Sequence, residues 1–201
     1  MQFKNLPNQD PFKKFEDYYV QAEANGQPIT EAGCISSVDA DGAPHARYVN
    51  FKYFFEDNLI FFSSYSSNKA SDFNVNDKVA VTFWWAATNV QIRLEGQILK
   101  CPEIFSDEHF YGREQGKNIA AIASDQSQPI ESYEMLQAKF EQTKSLIESG
   151  ELEEKRPLDW GGYQIKVSYF EFWEASEERL NYRECYKLSG NDWEKFFLQS
   201  W

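Results

Sequence analysis

The chain has 201 residues and a formal net charge of −12 at pH 7, with 20 basic and 32 acidic side chains. This excess of acid argues against a nucleic-acid-binding role, because phosphate backbones are bound by basic surfaces. Aromatic residues make up 17% of the sequence. A charged disordered chain contains few aromatics, so we expect a folded protein with a substantial core.

The sequence predicts neither a membrane-spanning segment nor a secretory leader. The longest apolar stretch, Val79–Ala87, is much shorter than the ~20 residues that a spanning helix needs. The N-terminus has no apolar run after a basic start, which a secretory signal would have. Cys34, Cys101 and Cys185 are isolated from one another, which predicts reduced packing residues. We therefore expect a cytoplasmic protein that does not bind membranes.

The first half of the chain predicts one helix followed by strands. Residues 10–24 place apolar side chains at three- and four-residue steps after a first-turn proline, as an amphipathic helix does. Residues 32–100 contain β-rich runs separated by turn-forming residues, which favour a barrel or sandwich. A short helix is predicted at Ser67–Phe73, and the pair Trp84 and Trp85 is assigned to the barrel or an interface. The five predicted strands are Cys34–Val38, His45–Phe55, Leu59–Ser64, Lys78–Trp85 and Val90–Leu99.

The second half predicts helices over residues 102–150 and further strands over residues 160–201. Leu136 and Phe140 lie on one face of a predicted helix at Ser132–Ser149, which Gly150 ends. Core packing explains this pattern, so we expect no catalytic role for the helix. The whole chain, residues 1–201, is predicted to form one α+β domain that is mainly β.

Several catalytic classes are disfavoured by residue content. His45 and His109 are the two histidines, too few for a histidine-rich metal site, and no metal is expected. The glycine-rich phosphate-binding loops are absent from the sequence. Any bound phosphate must therefore be held by side chains. Clustered cations would form an anion site in so acidic a protein, although their spacing alone is typical of solvated charges. The candidates are Arg47, Lys52, Lys69, Arg93, Arg113, Lys117, Arg179 and Arg183.

The C-terminal part carries a more specific pattern. Phe170–Glu174, a four-residue spacer and Arg179–Arg183 together resemble the C-terminal signature of the pyridoxamine 5′-phosphate oxidase family, which has an acid, a variable residue, Trp, and then Arg-Leu-His-acid-Arg. One such motif would be weak, but further segments agree with this family in order and spacing. They are Asp10–Phe12, Arg47–Lys52, Ser67–Ala70, Gln91–Gly96, Ala123–Ser127 and Trp160–Gly162.

The resemblance implies an FMN-binding split β-barrel with flanking helices, which forms a homodimer with an FMN in each of two clefts between the subunits. Residues 160–201 would complete the barrel and the dimer interface. Arg47, Lys69 and Ser127, with Ser63 nearby, would contact the FMN phosphate or ribityl chain, and Asn68 replaces a usual Arg beside Lys69. The remaining implied cofactor contacts are Gln91 and Gln126 at the ring or polar chain, and Trp173 and Arg183 from the partner subunit.

The implied substrate site departs from the family pattern. Lys52, Arg113 and Arg179 stand at positions that contact the phosphate and ring of a B6 substrate. His109 stands where the family usually has Tyr, Lys117 where it has Ser, and Asn181 where it has His. The site stays cationic, so a small anionic substrate is expected. Arg179 and Asn181 are the candidate catalytic residues, and Asn181 cannot exchange a proton near neutral pH.

The resemblance therefore implies an FMN-dependent oxidase that converts pyridoxamine or pyridoxine 5′-phosphate to pyridoxal 5′-phosphate, with oxygen as acceptor. Two alternatives stay open. The first is a flavin oxidase for another anionic reduced ring, as in the phenazine-biosynthesis relatives, which His109, Lys117 and Asn181 motivate. The second is a dimer that binds FMN or pyridoxal phosphate without turnover, which Asn68 and Asn181 motivate.

Overall fold

The computed structural model describes residues 1–200, so Trp201, the last residue of the predicted C-terminal segment, lies outside it. The described part contains ten strands in one curled sheet and five helices, which confirms the mainly-β α+β prediction. The strands are β1 (Gln2–Lys4), β2 (Ala32–Val38), β3 (Pro44–Asn50), β4 (Tyr53–Phe55), β5 (Asn58–Ser64), β6 (Lys78–Trp85), β7 (Val90–Lys100), β8 (Trp160–Glu174), β9 (Tyr182–Ser189) and β10 (Asp192–Phe197). The helices are α1 (Asp10–Ala24), α2 (Asn68–Val75), α3 (Glu103–Tyr111), α4 (Gln115–Ala123) and α5 (Tyr133–Glu148).

The sheet is organised around the long strand β8. Its order is β1-β4-β5-β8-β7-β6-β2-β3, with β9 also paired to β8 and β10 paired to β9. One edge of β8 pairs with β7 over most of its length. The other edge pairs first with β5, up to Lys166, and then with β9, from Tyr169 onward. The strand therefore connects two separate regions of the molecule.

A β-bulge between Glu95 and Gly96 shifts the register of β7 against β8. A side chain at Gly96 would collide with the backbone oxygen of Lys166 and lie 2.9 Å from Cγ2 of Ile165. Bulges increase the local twist of a sheet. The missing side chain thus permits the close approach at which the sheet curls.

We expect Gly96→Ala to lower the free energy of unfolding by about 1–3 kcal/mol, since backbone must move to admit the methyl group. Chemical denaturation measures this loss. Gly116→Ala in α4 is the matched control, because no atom lies within 4 Å of the added carbon. That substitution is expected to be neutral or to stabilise the protein by up to about 1 kcal/mol. Equal stability of the Gly96→Ala variant and the wild type would contradict the prediction.

The core lies between α1 and the concave face of the sheet. Phe12 and Phe15 of α1 are almost completely buried. Both pack edge-to-face against Phe54, with ring centroids 5.6 and 5.3 Å apart. Trp85 is also buried, and its indole donates a 3.0 Å hydrogen bond to the backbone oxygen of Thr30. Thirteen of the 34 aromatic residues lie in this buried core.

Two details of the predicted elements were wrong. The run His45–Phe55 forms two strands, because the chain turns at Phe51 and Lys52 and changes its partner from β2 to β5. Phe51 is buried at this turn, so apolar character continued where the strand did not. β1 was missed, because three residues carry no detectable period. Within residues 1–200, the structure contains no helix of the length and apolar character needed to cross a membrane.

Candidate active site

A hollow of about 510 Å³ lies between β3, β5 and the helices that follow β7. It brings together residues that are far apart in the sequence, and five of its twelve lining residues are lysines or arginines. Several cations around one hollow suit the binding of an anion. The predicted site residues that line it are Arg47, Lys52, Ser63, Lys69, His109, Arg113, Lys117 and Gln126.

Lys69 lies in the first turn of α2, and its side chain is buried, with 8% exposed. Its ammonium donates hydrogen bonds to Oγ of Ser63 at 3.1 Å and of Ser67 at 3.3 Å. Within the described residues no carboxylate pairs with it. Burial and the nearby charge of Arg47 lower the pKa of Lys69. A buried ammonium that contacts only hydroxyls is suited to bind an anion such as a phosphate.

Arg47 is held in place by two residues that the sequence did not suggest. Its guanidinium donates to Oγ of Ser37 at 2.6 Å and to Oδ2 of Asp72 at 3.3 Å. Asp72 is buried and also accepts from Ser37, and it contacts the ring of His45. Burial would raise the pKa of Asp72, but its hydrogen bonds to Ser37 and His45 and the charges of His45 and Arg47 hold it below the ordinary value. Asp72 therefore remains an anion that orients Arg47.

Gln126 lies beside Ser63 on the wall of the hollow. Its side-chain oxygen accepts from Oγ of Ser63 at 2.9 Å and from the backbone nitrogen of Ser64 at 2.8 Å. Two predicted neighbours are placed differently. Asn68 and Ser127 are exposed and line neither this hollow nor the larger one beside it. Ser127 follows Gln126 with a left-handed backbone (φ 72°), so their predicted contacts to a cofactor stay predictions.

Arg113 belongs to a second group of cations on the wall of the hollow, with Lys52 and Lys117. Its Nε donates to Oδ1 of Asn118 at 2.6 Å, and its guanidinium carbon lies 4.1 Å from the ring centroid of Trp160. Burial lowers the pKa of Arg113 to about 10, so the group keeps its charge at neutral pH. Lys117 and Lys52 lie on the same wall but are more exposed, and pair with Glu114 and Glu31. Of these three cations, Arg113 is the one that no carboxylate pairs with in the described part of the chain.

His109 lies between these cations. Its ring stacks on Phe62 with centroids 3.6 Å apart, and Nδ1 is 2.9 Å from the hydroxyl of Tyr53. Burial lowers the pKa of His109 to about 4, with further lowering by the charges of Arg113, Lys52 and Lys117. The imidazole is thus neutral at pH 7, and hydrogen bonding is its means of contacting an anion.

We expect the free energy of unfolding to fall as pH decreases from 7 to 4. The pKa of His109 is lower in the folded state than its ordinary 6.5, so the unfolded chain binds a proton first and gains stability in that window. The free energy of unfolding is expected to fall by on the order of 2 kcal/mol between pH 7 and pH 4. Comparison with His109→Phe, by denaturation at each pH, isolates this contribution. A wild type and variant with parallel pH profiles would rule it out.

The remaining predicted residues form a second group at the far end of β8. Gln91, Trp173 and Arg183 are register partners across β7, β8 and β9, so they form one row on the sheet. Arg179 and Asn181 lie in the connection before β9. The amide oxygen of Asn181 accepts from the backbone nitrogen of Ser176 at 3.1 Å. None of these five residues lines the hollow.

Ser63 and Trp173 lie at different ends of β8. Ser63 pairs with Gly161 on β8, and Trp173 lies twelve residues further along the same strand. At about 3.3 Å per residue this is roughly 40 Å along the strand. In one chain the row of Gln91, Trp173 and Arg183 therefore lies outside the hollow.

The helix α5 lies where the sequence predicted it, but its explanation by core packing was wrong. No side chain of this helix is buried, so core packing does not explain its apolar face. Leu136 and Phe140 instead line a second hollow of about 870 Å³, which shares Phe62 and Arg113 with the first. Phe62 was also missed as a site residue. Its position directly before Ser63 in a buried strand was the available signal, but such a position is equally expected of a core residue.

Comparisons with known proteins agree with this arrangement. Residues 26–146 match the family described as pyridoxamine 5′-phosphate oxidase. Residues 160–200 match the region described as the pyridoxine 5′-phosphate oxidase C-terminal dimerisation region. The second match contains Trp173 and Arg183 of the row. The chain is accordingly a homodimer.

Individual relatives give the same result. Pyridoxine/pyridoxamine 5′-phosphate oxidase 1 of Hydrogenovibrio crunogenus is 40% identical over 91% of this chain and 84% of its own length. The corresponding enzyme of Trichormus variabilis is 36% identical over 92% of this chain and 86% of its own length. The crystal structure of PhzG from Burkholderia lata, in complex with tetrahydrophenazine-1-carboxylic acid, has a TM-score of 0.88 at 25% identity and covers 96% of this chain and 94% of its own. With both of its regions matched, and with close relatives along nearly its whole length, this chain belongs to the FMN-dependent pyridoxamine 5′-phosphate oxidase family.

Proposed function

We propose that this oxidoreductase converts pyridoxamine and pyridoxine 5′-phosphates to pyridoxal 5′-phosphate, with FMN as cofactor and oxygen as electron acceptor. One observation carries the proposal: the hollow is lined by two groups of cations. The first group is Lys69 and Arg47, whose charge lowers the pKa of Lys69. The second group is Arg113, Lys52 and Lys117, whose charges lower the pKa of His109. A cofactor and a substrate that each carry a phosphate require two such anion sites side by side.

The first group of cations, Lys69 and Arg47, fits the phosphate of the cofactor. Lys69 is a buried ammonium that lacks an anionic partner within the described residues, and Arg47 is oriented by Asp72. We assign both to the FMN phosphate, with Ser63 as a hydroxyl partner. When bound, FMN accepts a hydride from the substrate and passes the electrons to oxygen. The amide of Gln126 and the hydroxyl of Ser63 hold each other in place beside this position.

The dimer supplies the rest of the site. Because the row of Gln91, Trp173 and Arg183 lies at the far end of β8, we place it against the FMN that is bound in the other subunit's hollow. A flat indole beside two hydrogen-bonding groups suits an isoalloxazine ring. Each of the two flavins then contacts both chains, and neither chain forms a complete site alone.

The second group of cations binds the substrate. Arg113 is rigidly held over Trp160, and with Lys52 and Lys117 it binds the substrate phosphate as a dianion. His109, neutral at pH 7, adds a hydrogen bond. Arg179 of the second subunit lies against the substrate ring and orients the carbon that loses hydride, so that positioning supplies most of the rate.

Asn181 distinguishes this chain from the common family pattern. Its amide both donates and accepts hydrogen bonds but takes up no proton near neutral pH. We assign it to orienting the substrate's ring substituents. Proton uptake from the substrate is then left to solvent that reaches the hollow. The cytoplasmic location inferred from the sequence stays a prediction.

One observation favours a second candidate. The larger hollow beside the site has an apolar wall that includes Leu136 and Phe140, and it opens beside Arg113. A reduced ring system larger than a pyridine, bearing a carboxylate, would fit this combination. The PhzG neighbour was solved with a compound of that kind. Oxidation of such a ring is the alternative activity.

An anaerobic titration separates these possibilities. FMN-loaded protein is mixed with pyridoxamine 5′-phosphate while the visible absorbance of the flavin is followed, and tetrahydrophenazine-1-carboxylic acid is used in a parallel titration. Bleaching by the B6 compound that reverses when oxygen is admitted supports the proposed function. Bleaching only by the phenazine compound supports the alternative. A flavin that stays oxidised with both compounds indicates a binding protein without turnover and contradicts both activities.

A further inference from the structure

Glu171 belongs to the C-terminal signature but lines neither hollow. Its side chain is buried, with 2% exposed. Oε1 accepts hydrogen bonds from Nε and Nη2 of Arg183, at 2.8 and 2.7 Å. Two bonds from one edge of a guanidinium fix both its plane and its direction. The third nitrogen, Nη1, has only a 3.3 Å bond to the backbone oxygen of Gln199.

The other carboxylate oxygen is also used. Oε2 of Glu171 accepts from Nη1 of Arg93 at 2.8 Å. Glu171 and Arg93 are register partners across β8 and β7. One buried carboxylate thus lies between two arginines, and its charge offsets the repulsion between them.

This pair lies directly beside the row assigned to the flavin. Arg93 and Glu171 stand two residues along β7 and β8 from Gln91 and Trp173. Side chains two residues apart point to the same face of a strand. Glu171 therefore lies on the same face of the sheet as the flavin-facing row, two residues from Trp173, and contacts the row through Arg183.

We infer that Glu171 is a positioning residue of the flavin site, which holds the guanidinium of Arg183 in the orientation that the flavin ring requires. Arg93 completes the hydrogen bonding of the carboxylate and keeps it in place. The inference rests on the proposed contact between Arg183 and FMN. It gives a function to the acid of the C-terminal signature and to the arginine of the segment Gln91–Gly96.

The test is the dissociation constant of FMN, measured on apo-protein by quenching of flavin fluorescence. Glu171→Gln keeps the side-chain shape but removes the charge and one acceptor. It is expected to weaken FMN binding about tenfold. In an Arg183→Ala background the same substitution is expected to change binding by less than about twofold, because its effect passes through Arg183. Glu95→Gln is the matched control, since it removes another carboxylate from Arg93 and is expected to leave FMN binding unchanged.

Two results would overturn the inference: FMN binding of wild-type strength in Glu171→Gln, or an equal effect of this substitution with and without Arg183. Glu171→Asp retains the charge between the arginines, and so provides a folded variant if the Gln substitution unfolds the chain. Its shorter side chain cannot reach both arginines, and wild-type FMN binding by it would also overturn the inference. If Arg183→Ala by itself leaves FMN binding unchanged, the proposed contact of Arg183 is the part that fails.

Discussion

Replacing Lys69 by Met is expected to weaken FMN binding by about tenfold to a hundredfold, the effect of losing a charge-assisted hydrogen bond to a phosphate. The same substitution is expected to leave the apo-protein as stable as the wild type or more stable. The reason is that Lys69 is buried without a carboxylate partner in the described part of the chain. Its charge costs desolvation in the absence of ligand, and Met fills similar space without that cost.

The opposite signs of these two effects make the experiment decisive. FMN titration of apo-protein gives the dissociation constant, and thermal unfolding of the same samples gives the stability. Lys78→Met is the matched control, because this exposed lysine of β6 lies outside the hollow. A Lys69→Met variant that binds FMN like the wild type would contradict the assignment of Lys69 to the FMN phosphate. If Lys69→Met lowers both FMN binding and the stability of the apo-protein, Lys69 has a structural role instead.

Arg179→Ala is expected to reduce kcat/KM for pyridoxamine 5′-phosphate by about a hundredfold while FMN binding stays unchanged. Arg179 is an exposed residue with a left-handed backbone (φ 59°) in the connection before β9. A residue other than glycine is strained in the left-handed backbone region, and such strain concentrates at functional sites. Arg179→Gly tests this reason, because it should lose activity equally while raising the free energy of unfolding.

Mixed dimers test whether the site is shared between chains. When Lys69→Met and Arg179→Ala subunits are combined, one site of each mixed dimer carries both changes and the other carries neither. Activity per mixed dimer is expected to recover to about half of the wild-type value. Glu177→Ala, in the same exposed connection, is the matched control for Arg179 and should keep full activity. Mixed dimers as inactive as the parent variants would show that each chain builds its own site.

Much of the fold was predictable from local pattern. The spacing of Phe12, Phe15 and Tyr19 predicted α1, and their burial follows from it. The β-rich runs of the C-terminal region predicted further strands there, and β9 and β10 form an antiparallel pair. The position of α5 was predicted correctly, but its assignment to the core was wrong, because an apolar helix face shows only that the helix covers another surface. Whether that surface is a core or the wall of a hollow depends on distant segments.

By itself, the sequence determined the elements, the apolar faces that pack into the core and the ordered motifs that identify the family. These properties depend on residue spacing and residue type, which are local. Only the tertiary structure decided which charges meet: Asp72 with Arg47, and Glu171 with Arg183 and Arg93. It also decided that the candidate site residues fall into two groups, one around the hollow and one in the row across β7, β8 and β9. Strand register and helix packing join residues far apart in the chain, and no local pattern specifies those pairings.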